Sequence, residues 1–287
     1  MAAYYRIRNG VYEVAQIPHE FSVEAFLDSG RHTDFEFRVK PDYYPDVPER
    51  RFRVHKVFLA MRNEVFDAMF FGDLAEESEV VITDLHPDGF GLLLRYLYSG
   101  KPQMKSVGDA LHARFAAKKY LVQQLADACS DYIAKNLKAE NVCSFIDYHV
   151  HRYEPEMDAI VDTLLTNSGA AVLTSKEFNL ALEGTVQYIV DKMRNVPEAS
   201  VVKAVFVWAQ EQCVKSLHTG EPLELKAVMR TFFPKLRFLT MSVEEFLVGP
   251  GSWGLLDDAE TLAILRSIVK RGSHPLPEGF CNDTNGR

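Results

Sequence analysis

Hydrophobic and polar positions divide the chain into two parts with different periods. In "DFEFRVK" the alternation puts Phe35, Phe37 and Val39 on one face and Glu36, Arg38 and Lys40 on the other, which predicts a half-buried strand. "RFRVH" alternates again, with Phe52 and Val54 inward, and "EVVITDL" is a short β-branched run. Between the first two runs, "KPDYYPDVPER" is broken by prolines and predicts a loop. Helical patterns follow: "PDGFGLLLRYLYSG" opens on Pro87 and stops at Gly100, and "VGDALHARFAAKKY" and "VQQLADACSDYIAKNL" come after it. At the start, "YYRIRNGVYEV" predicts a hairpin turning at Asn9-Gly10.

From Lys138 onward the strand signal gives out. One helical segment succeeds another, from "AENVCSFIDYHVHRY" to "DAETLAILRSIVKR". Ser242 with Glu245, and Asp257 with Glu260, fit the capping box that opens a helix. Val201, Val205, Trp208 and Ala209 form one apolar stripe, which predicts core rather than a cofactor pocket. The change of pattern near Leu137 predicts a domain boundary. The tail "GSHPLPEGFCNDTNGR" carries no period and is expected to be disordered.

Composition narrows the partners. Apolar residues make up 47% and charged residues 25% of the 287 positions, which is the balance of a folded protein. The net charge of −8, without a basic run, argues against nucleic acid or an anionic membrane as the main partner. No stretch has the length of a membrane span, and the N-terminus lacks an apolar signal-peptide core. Cys129, Cys143, Cys213 and Cys281 form no Cys-x-x-Cys pair, which predicts a reduced cytosolic or nuclear setting. The sequon Asn282-Asp283-Thr284 is expected to stay idle without secretion.

Catalytic and cofactor signals are weak. Gly249-Pro250-Gly251-Ser252-Trp253-Gly254 has the G-x-G-x-x-G spacing, but a helical segment precedes it where the dinucleotide fingerprint needs a strand, so a loop is expected. His149 and His151 point about 200° apart on a helix and cannot share a metal with Cys143. His55 has no nucleophile nearby in sequence and reads as structural. No cofactor and no metal site is expected.

The informative stretch is "HKVFLAMRNEVFDAMFFGDLAEESEVVITDL", His55 to Leu85. Its His55, Leu59-Ala60, Asn63, Phe66 and Met69-Phe70 resemble the centre of a BTB (POZ) domain, with Asn63 in place of the family's helix-capping serine. Asp34, "LLRYLYSG" and "AAKKYLVQQL" extend the likeness over Phe21 to Leu137. The later segments "VVKAVFVWAQEQC" and "FLTMSVEEFLVGPGSWGLL" resemble the BACK domain that follows BTB in cullin-3 adaptors, most of all the branch that also carries a PHR domain. The resemblance implies an α+β BTB/POZ domain, a small sheet flanked by helices, over residues 18–137, and an all-α BACK domain over 138–271. Before them lies an N-terminal segment, 1–17, and after them a tail, 272–287. No PHR, kelch or zinc-finger module occurs in the sequence, so the usual substrate-binding module is missing or lies outside this chain.

That resemblance also implies a function and sites. BTB domains of this kind dock cullin-3 through a hydrophobic-x-Glu motif, which Leu74-Ala75-Glu76 fits residue by residue. Gly72 is expected to end the preceding helix in left-handed geometry, leaving Leu74 outward beside Phe71 and Tyr120, with Phe70 as a further contact. On the opposing reading, Phe70, Phe71 and Leu74 all pack inside. The crowded acids of "DLAEESE" form a solvated rim. The family dimerises through its first helix, here "FSVEAFLDSG", which makes Phe21, Phe26 and Leu27 interface candidates and Asp34 and Lys56 a charged pair beside them. The first BACK helices, about Ala139 to Leu165, are expected to form a groove for the cullin N-terminal extension. The chain is thus expected to be a non-catalytic adaptor of a ubiquitin ligase, cytoplasmic or nuclear. Its partners would be cullin-3, a second copy of itself and an unidentified protein substrate. The alternative is a dimeric scaffold, for instance in transcriptional control, that binds no cullin.

Overall fold

The computed structural model describes residues 4–8, 11–15, 23–42, 46–149, 154–270 and 275–287. The chain divides into two compact units, Met1–Ile133 and Ala134–Arg287. In the first unit the period-two run becomes strand β3 (Phe35–Val39), the centre of a three-stranded sheet. Phe35, Phe37 and Val39 share one face and are buried. Strand β4 (Arg50–Val54) lies antiparallel to β3 with Phe52 opposite Phe37, and β5 (Glu79–Ile82) lies parallel with Val80 opposite Phe37. A parallel neighbour needs a crossover, and helices α2 (Lys56–Arg62) and α3 (Glu64–Phe71) provide it. On the other face of the sheet Glu36 takes Arg51 at 3.0 Å and Arg53 at 3.3 Å, and Arg38 holds Glu49 with two bonds of 3.0 Å. Ahead of this sheet, β1 (Tyr4–Arg8) and β2 (Val11–Ala15) pair antiparallel in a separate two-stranded ribbon, with Arg8 opposite Val11; Asn9 and Gly10 lie outside the described residues.

Helices α4 (Pro87–Ser99) and α5 (Val107–Lys119) follow, and α6 (Gln123–Asn136) runs across the end of the unit at Ile133. Pro87 sits in the first turn of α4, where its missing N–H costs nothing, and Gly100 closes the helix at a φ of 72°. The core is aromatic. The Phe37 ring stands edge-on to Phe66 at 5.7 Å and to Phe90 at 5.0 Å, and Phe70 meets Phe35 at 4.8 Å. Each such ring removed from water contributes about 1.5–3 kcal/mol. His55 is structural: its ring is buried between the Tyr98 hydroxyl at 2.8 Å and the Arg31 carbonyl at 2.7 Å. Burial pushes the Tyr98 hydroxyl up to about 12.

The secondary structure described in the second unit is all helical: α7 (Val142–His149), α8 (Pro155–Leu173), α9 (Lys176–Leu180), α10 (Glu183–Lys192), α11 (Glu198–Thr219), α12 (Leu225–Arg230), α13 (Val243–Val248) and α14 (Asp258–Val269). The predicted stripe of α11 is core, and the Trp208 indole N–H donates to the Ala181 carbonyl at 2.9 Å. Both capping boxes form. The glycine-rich Gly249–Gly254 is a loop between α13 and α14, in which Trp253 stacks on Phe206 at 4.0 Å. It opens no helix in the way a phosphate cradle would.

The tail departs from expectation. Residues 275–287 carry no helix or strand, yet they are not loose: Phe280 is buried, and the Arg287 side chain makes an ion pair inside the unit with Glu198 at 2.6 Å. An extended segment anchored by single side chains leaves no period in the sequence, which is why pattern alone predicted disorder.

Candidate protein-interaction site

The site begins with Asn63. Its backbone is extended, and its side-chain oxygen accepts from the backbone N–H of Val65 at 3.0 Å and of Phe66 at 3.1 Å, which starts α3. The amide N–H of the same side chain donates to the Tyr120 carbonyl at 2.7 Å. One residue therefore ties the start of α3 to the end of α5. The Cys143 and Cys129 thiols, by contrast, are buried and pushed up to about 12, so they offer no nucleophile. Among the described residues no group of three His, Cys, Asp or Glu side chains could hold a metal ion.

Gly72 ends α3, but not in the expected left-handed form: its φ is −78°. The reason for glycine is space. A Cβ there would lie 2.5 Å from the Ala68 carbonyl oxygen, which the chain must pass closely as it leaves the helix. The residues from Phe71 to Glu79 are then exposed one after another. Leu74 is 93% exposed and Phe71 is 60% exposed. Glu76 is exposed as well, and its backbone N–H returns to the Met69 carbonyl at 2.9 Å.

The loop is held by Lys56, the first residue of α2. Its ammonium donates to the Glu76 carbonyl at 3.1 Å and to the Glu77 carbonyl at 2.8 Å, while lying 5.1 Å from the centre of the Phe35 ring and 5.8 Å from that of Phe70. The expected charged pair of Asp34 and Lys56 takes a different form. Asp34 accepts from the Lys56 backbone N–H at 2.8 Å, as a carboxylate at the start of α2, and the ammonium goes to the loop instead.

Two expected contact residues belong to the core. Phe70 is buried against Phe35, and Tyr120 is only 2% exposed, stacked on Phe66 at 4.6 Å. Burial raises the Tyr120 hydroxyl well above its ordinary range. In this chain neither presents a surface to a partner, so Tyr120 does not flank Leu74 as an exposed neighbour. The inward reading therefore holds for Phe70 and fails for Phe71 and Leu74. What pattern reading missed is the apolar pair Met61 and Leu121. Both are exposed, and with Tyr96 and Asn63 they line a depression of about 480 Å³. Helix α3 is roughly 12 Å long at 1.5 Å per residue, so apolar side chains stand exposed at both of its ends.

Of the first-helix residues, Phe26 and Leu27 lie on α1 (Glu24–Ser29) and are half-buried, whereas Phe21 lies outside the described residues. No residue of α1 is fully buried, and the Phe26 ring stands edge-on to His55 at 6.3 Å.

A family model for the BTB/POZ domain matches residues 23–137. BTB/POZ domain-containing protein 6 of Mus musculus is 34% identical over 214 residues, covering 74% of this chain and 40% of that protein. The Homo sapiens protein of the same name is 33% identical over 77% of this chain and 41% of its own length. BTB/POZ domain-containing protein 3 of Homo sapiens is 28% identical over 76% and 42%. The chain thus spans about two fifths of the length of these relatives. Among solved structures, the BTB domain of zebrafish PATZ1 aligns over 40% of this chain and 86% of that chain, at 23% identity and a TM-score of 0.32. BTB domains generally serve as non-catalytic adaptors or scaffolds and typically self-associate. The family match takes in the three-stranded sheet and runs to the end of α6: residues 23–137 of this chain are a BTB/POZ domain.

Proposed function

We propose that the chain is a substrate adaptor of a cullin-3 ubiquitin ligase, with the helical second unit acting as a BACK domain over residues 138–271. The observation that carries the reading is Leu74. A leucine 93% exposed on a loop whose backbone is pinned by Lys56 and by Glu76 is a preformed anchor, presented without an ordering cost on binding. Phe71 extends the apolar contact and Glu76 supplies an acceptor at its rim. The adaptor does no chemistry. It raises the local concentration of a substrate near the ubiquitin-loaded enzyme, and dimerisation through α1 doubles the docking sites.

The test is calorimetric titration of the chain with the cullin-3 N-terminal domain, for wild type, Leu74→Asp and Glu76→Arg, beside thermal melts. Leu74 is exposed, so its replacement should change folding stability by no more than roughly 0.5 kcal/mol. Losing the anchor and burying a carboxylate should cost about 2 kcal/mol of binding or more, at least about thirtyfold in affinity. Glu76→Arg should weaken binding in a manner that depends on salt. If wild type and both variants bind alike, or none binds, the cullin reading gives way to that of a dimeric scaffold.

A further inference from the structure

The final segment of the chain docks onto the second unit as a peptide docks onto a receptor. Contacts of four kinds hold it. Phe280 is buried against Phe233 at 5.1 Å and Phe238 at 6.2 Å, with the Arg230 guanidinium 5.7 Å from its ring centre. The Cys281 backbone N–H donates to the Phe233 carbonyl at 3.1 Å. Arg237 donates to the carbonyls of Asn285 at 3.0 Å and Gly286 at 3.2 Å and pairs with the Asp283 carboxylate at 3.3 Å. Arg287 enters a pocket of three acceptors: its Nε donates to Glu198 at 2.6 Å, Nη2 to the Lys235 carbonyl at 2.7 Å and Nη1 to the Val190 carbonyl.

That last pocket is built for a guanidinium. The Glu198 side chain is 3% exposed and that of Arg287 is 1% exposed. The other oxygen of Glu198 accepts from the Arg237 backbone N–H at 2.7 Å, so the unit's own backbone helps to orient the carboxylate. With Arg287 seated, the buried carboxylate has its compensating charge. The acceptors converge from three separate places in the chain, and only a planar fork of donors reaches all of them at once; a lysine ammonium presents a point charge instead. Residues 280–287 are therefore held by side chain at Phe280, Asp283 and Arg287 and by backbone at Cys281, Asn285 and Gly286.

We infer that this groove is a peptide-recognition site and that residues 279–287 are its ligand in cis. The ligand class it takes in trans is an extended protein segment with an aromatic residue followed seven positions later by an arginine, and an acidic residue between them. The chain's own segment, joined to α14 by a short linker, competes at an effective concentration in the millimolar range. It must leave before a partner segment can enter. The inference is independent of cullin docking, since every residue in it belongs to the second unit.

The experiment places a protease site within residues 271–274 of the full chain and cuts it after folding. A fluorescent peptide spanning residues 279–287 is then titrated by polarisation against cut and uncut protein. The cut protein, after dialysis, should bind the peptide at least about tenfold more tightly than the uncut protein, because the tethered competitor is gone. A peptide with Arg287→Lys should lose at least about tenfold, as should a cut Glu198→Gln protein against the native peptide. Equal binding to cut and uncut protein, or equal binding of the lysine peptide, overturns the proposal. Should the cut chain aggregate, the uncut Phe280→Ser/Arg287→Ala chain takes its place; it should bind the native peptide where wild type does not, and failure to bind would overturn the proposal equally.

Discussion

Replacing Lys56 by methionine separates the two tasks of one side chain. Methionine keeps the apolar stem over Phe35 and Phe70 but removes the ammonium that holds the carbonyls of Glu76 and Glu77. Losing the cation above two rings should lower global stability by about 0.5–1 kcal/mol, the range for partly exposed contacts of this kind. Losing two charge-assisted bonds acts locally. Each is worth about 1.5–3 kcal/mol where sheltered, but both lie on an exposed loop that water can solvate, so about 1–2 kcal/mol of loop order in all is the appropriate scale. That should raise the open population of the loop about five- to thirtyfold.

Hydrogen exchange reads the local effect without any partner. The Glu76 amide donates to the Met69 carbonyl only while the loop is closed, so its exchange should quicken by that factor, while core amides of β3 follow the smaller global change. On the proposed cullin reading, affinity should fall by a factor no larger than the loss of closed loop, since an anchor that must first be ordered binds in proportion to the ordered fraction. A Glu76 amide whose protection is unchanged in the variant, with the melting temperature lowered, would refute the assignment of Lys56 as the loop's anchor and leave it a core cation only.

Asn63→Ala should destabilise the BTB unit by about 1–2 kcal/mol in denaturant melts, because it removes the α3 cap and the bond to the Tyr120 carbonyl together; Asn63→Ser should restore part of this by restoring the cap. The second unit should lose stability in acid. Hydrogen bonding from Arg230, at 2.7 Å on both carboxylate oxygens, holds Glu260 below its ordinary range. Its contribution is therefore present above about pH 4.3, the ordinary glutamate value, and is lost as the pH falls through the depressed one. Thermal melts across that window should show a slope that Glu260→Gln reduces. Light scattering at micromolar concentration should return a dimer mass, and Leu27→Asp on α1 should shift it towards monomer; a monomer mass for wild type would remove α1 as an interface.

How much of this was legible in the sequence depends on the range of the interaction. The sheet strand was legible because Phe35, Phe37 and Val39 obey a period of two, and a period is a local property of neighbours. Asn63 and the two capping boxes were legible because a cap spans only three residues. Gly72 shows where local reasoning begins to fail: glycine was needed, but to clear the Ala68 carbonyl rather than to reach positive φ, and both needs look alike in sequence. Tyr120 and Lys56 show it failing further. Tyr120 ends a helix, where exposure is the ordinary expectation, yet its ring lies on Phe66, fifty-four positions earlier by its number. Lys56 was read by its charge near Asp34, but a four-carbon stem carries that charge to carbonyls about twenty residues away. The extreme is Arg287 with Glu198, 89 residues apart, in a segment with neither period nor cap. A pattern search finds what repeats, and a lone side chain seated in a distant pocket does not repeat. The residues on which the two proposed binding sites rest are of that second kind: Leu74 is exposed on a loop that Lys56 and Gly72 fix from elsewhere, and Arg287 is buried because three distant acceptors converge on it.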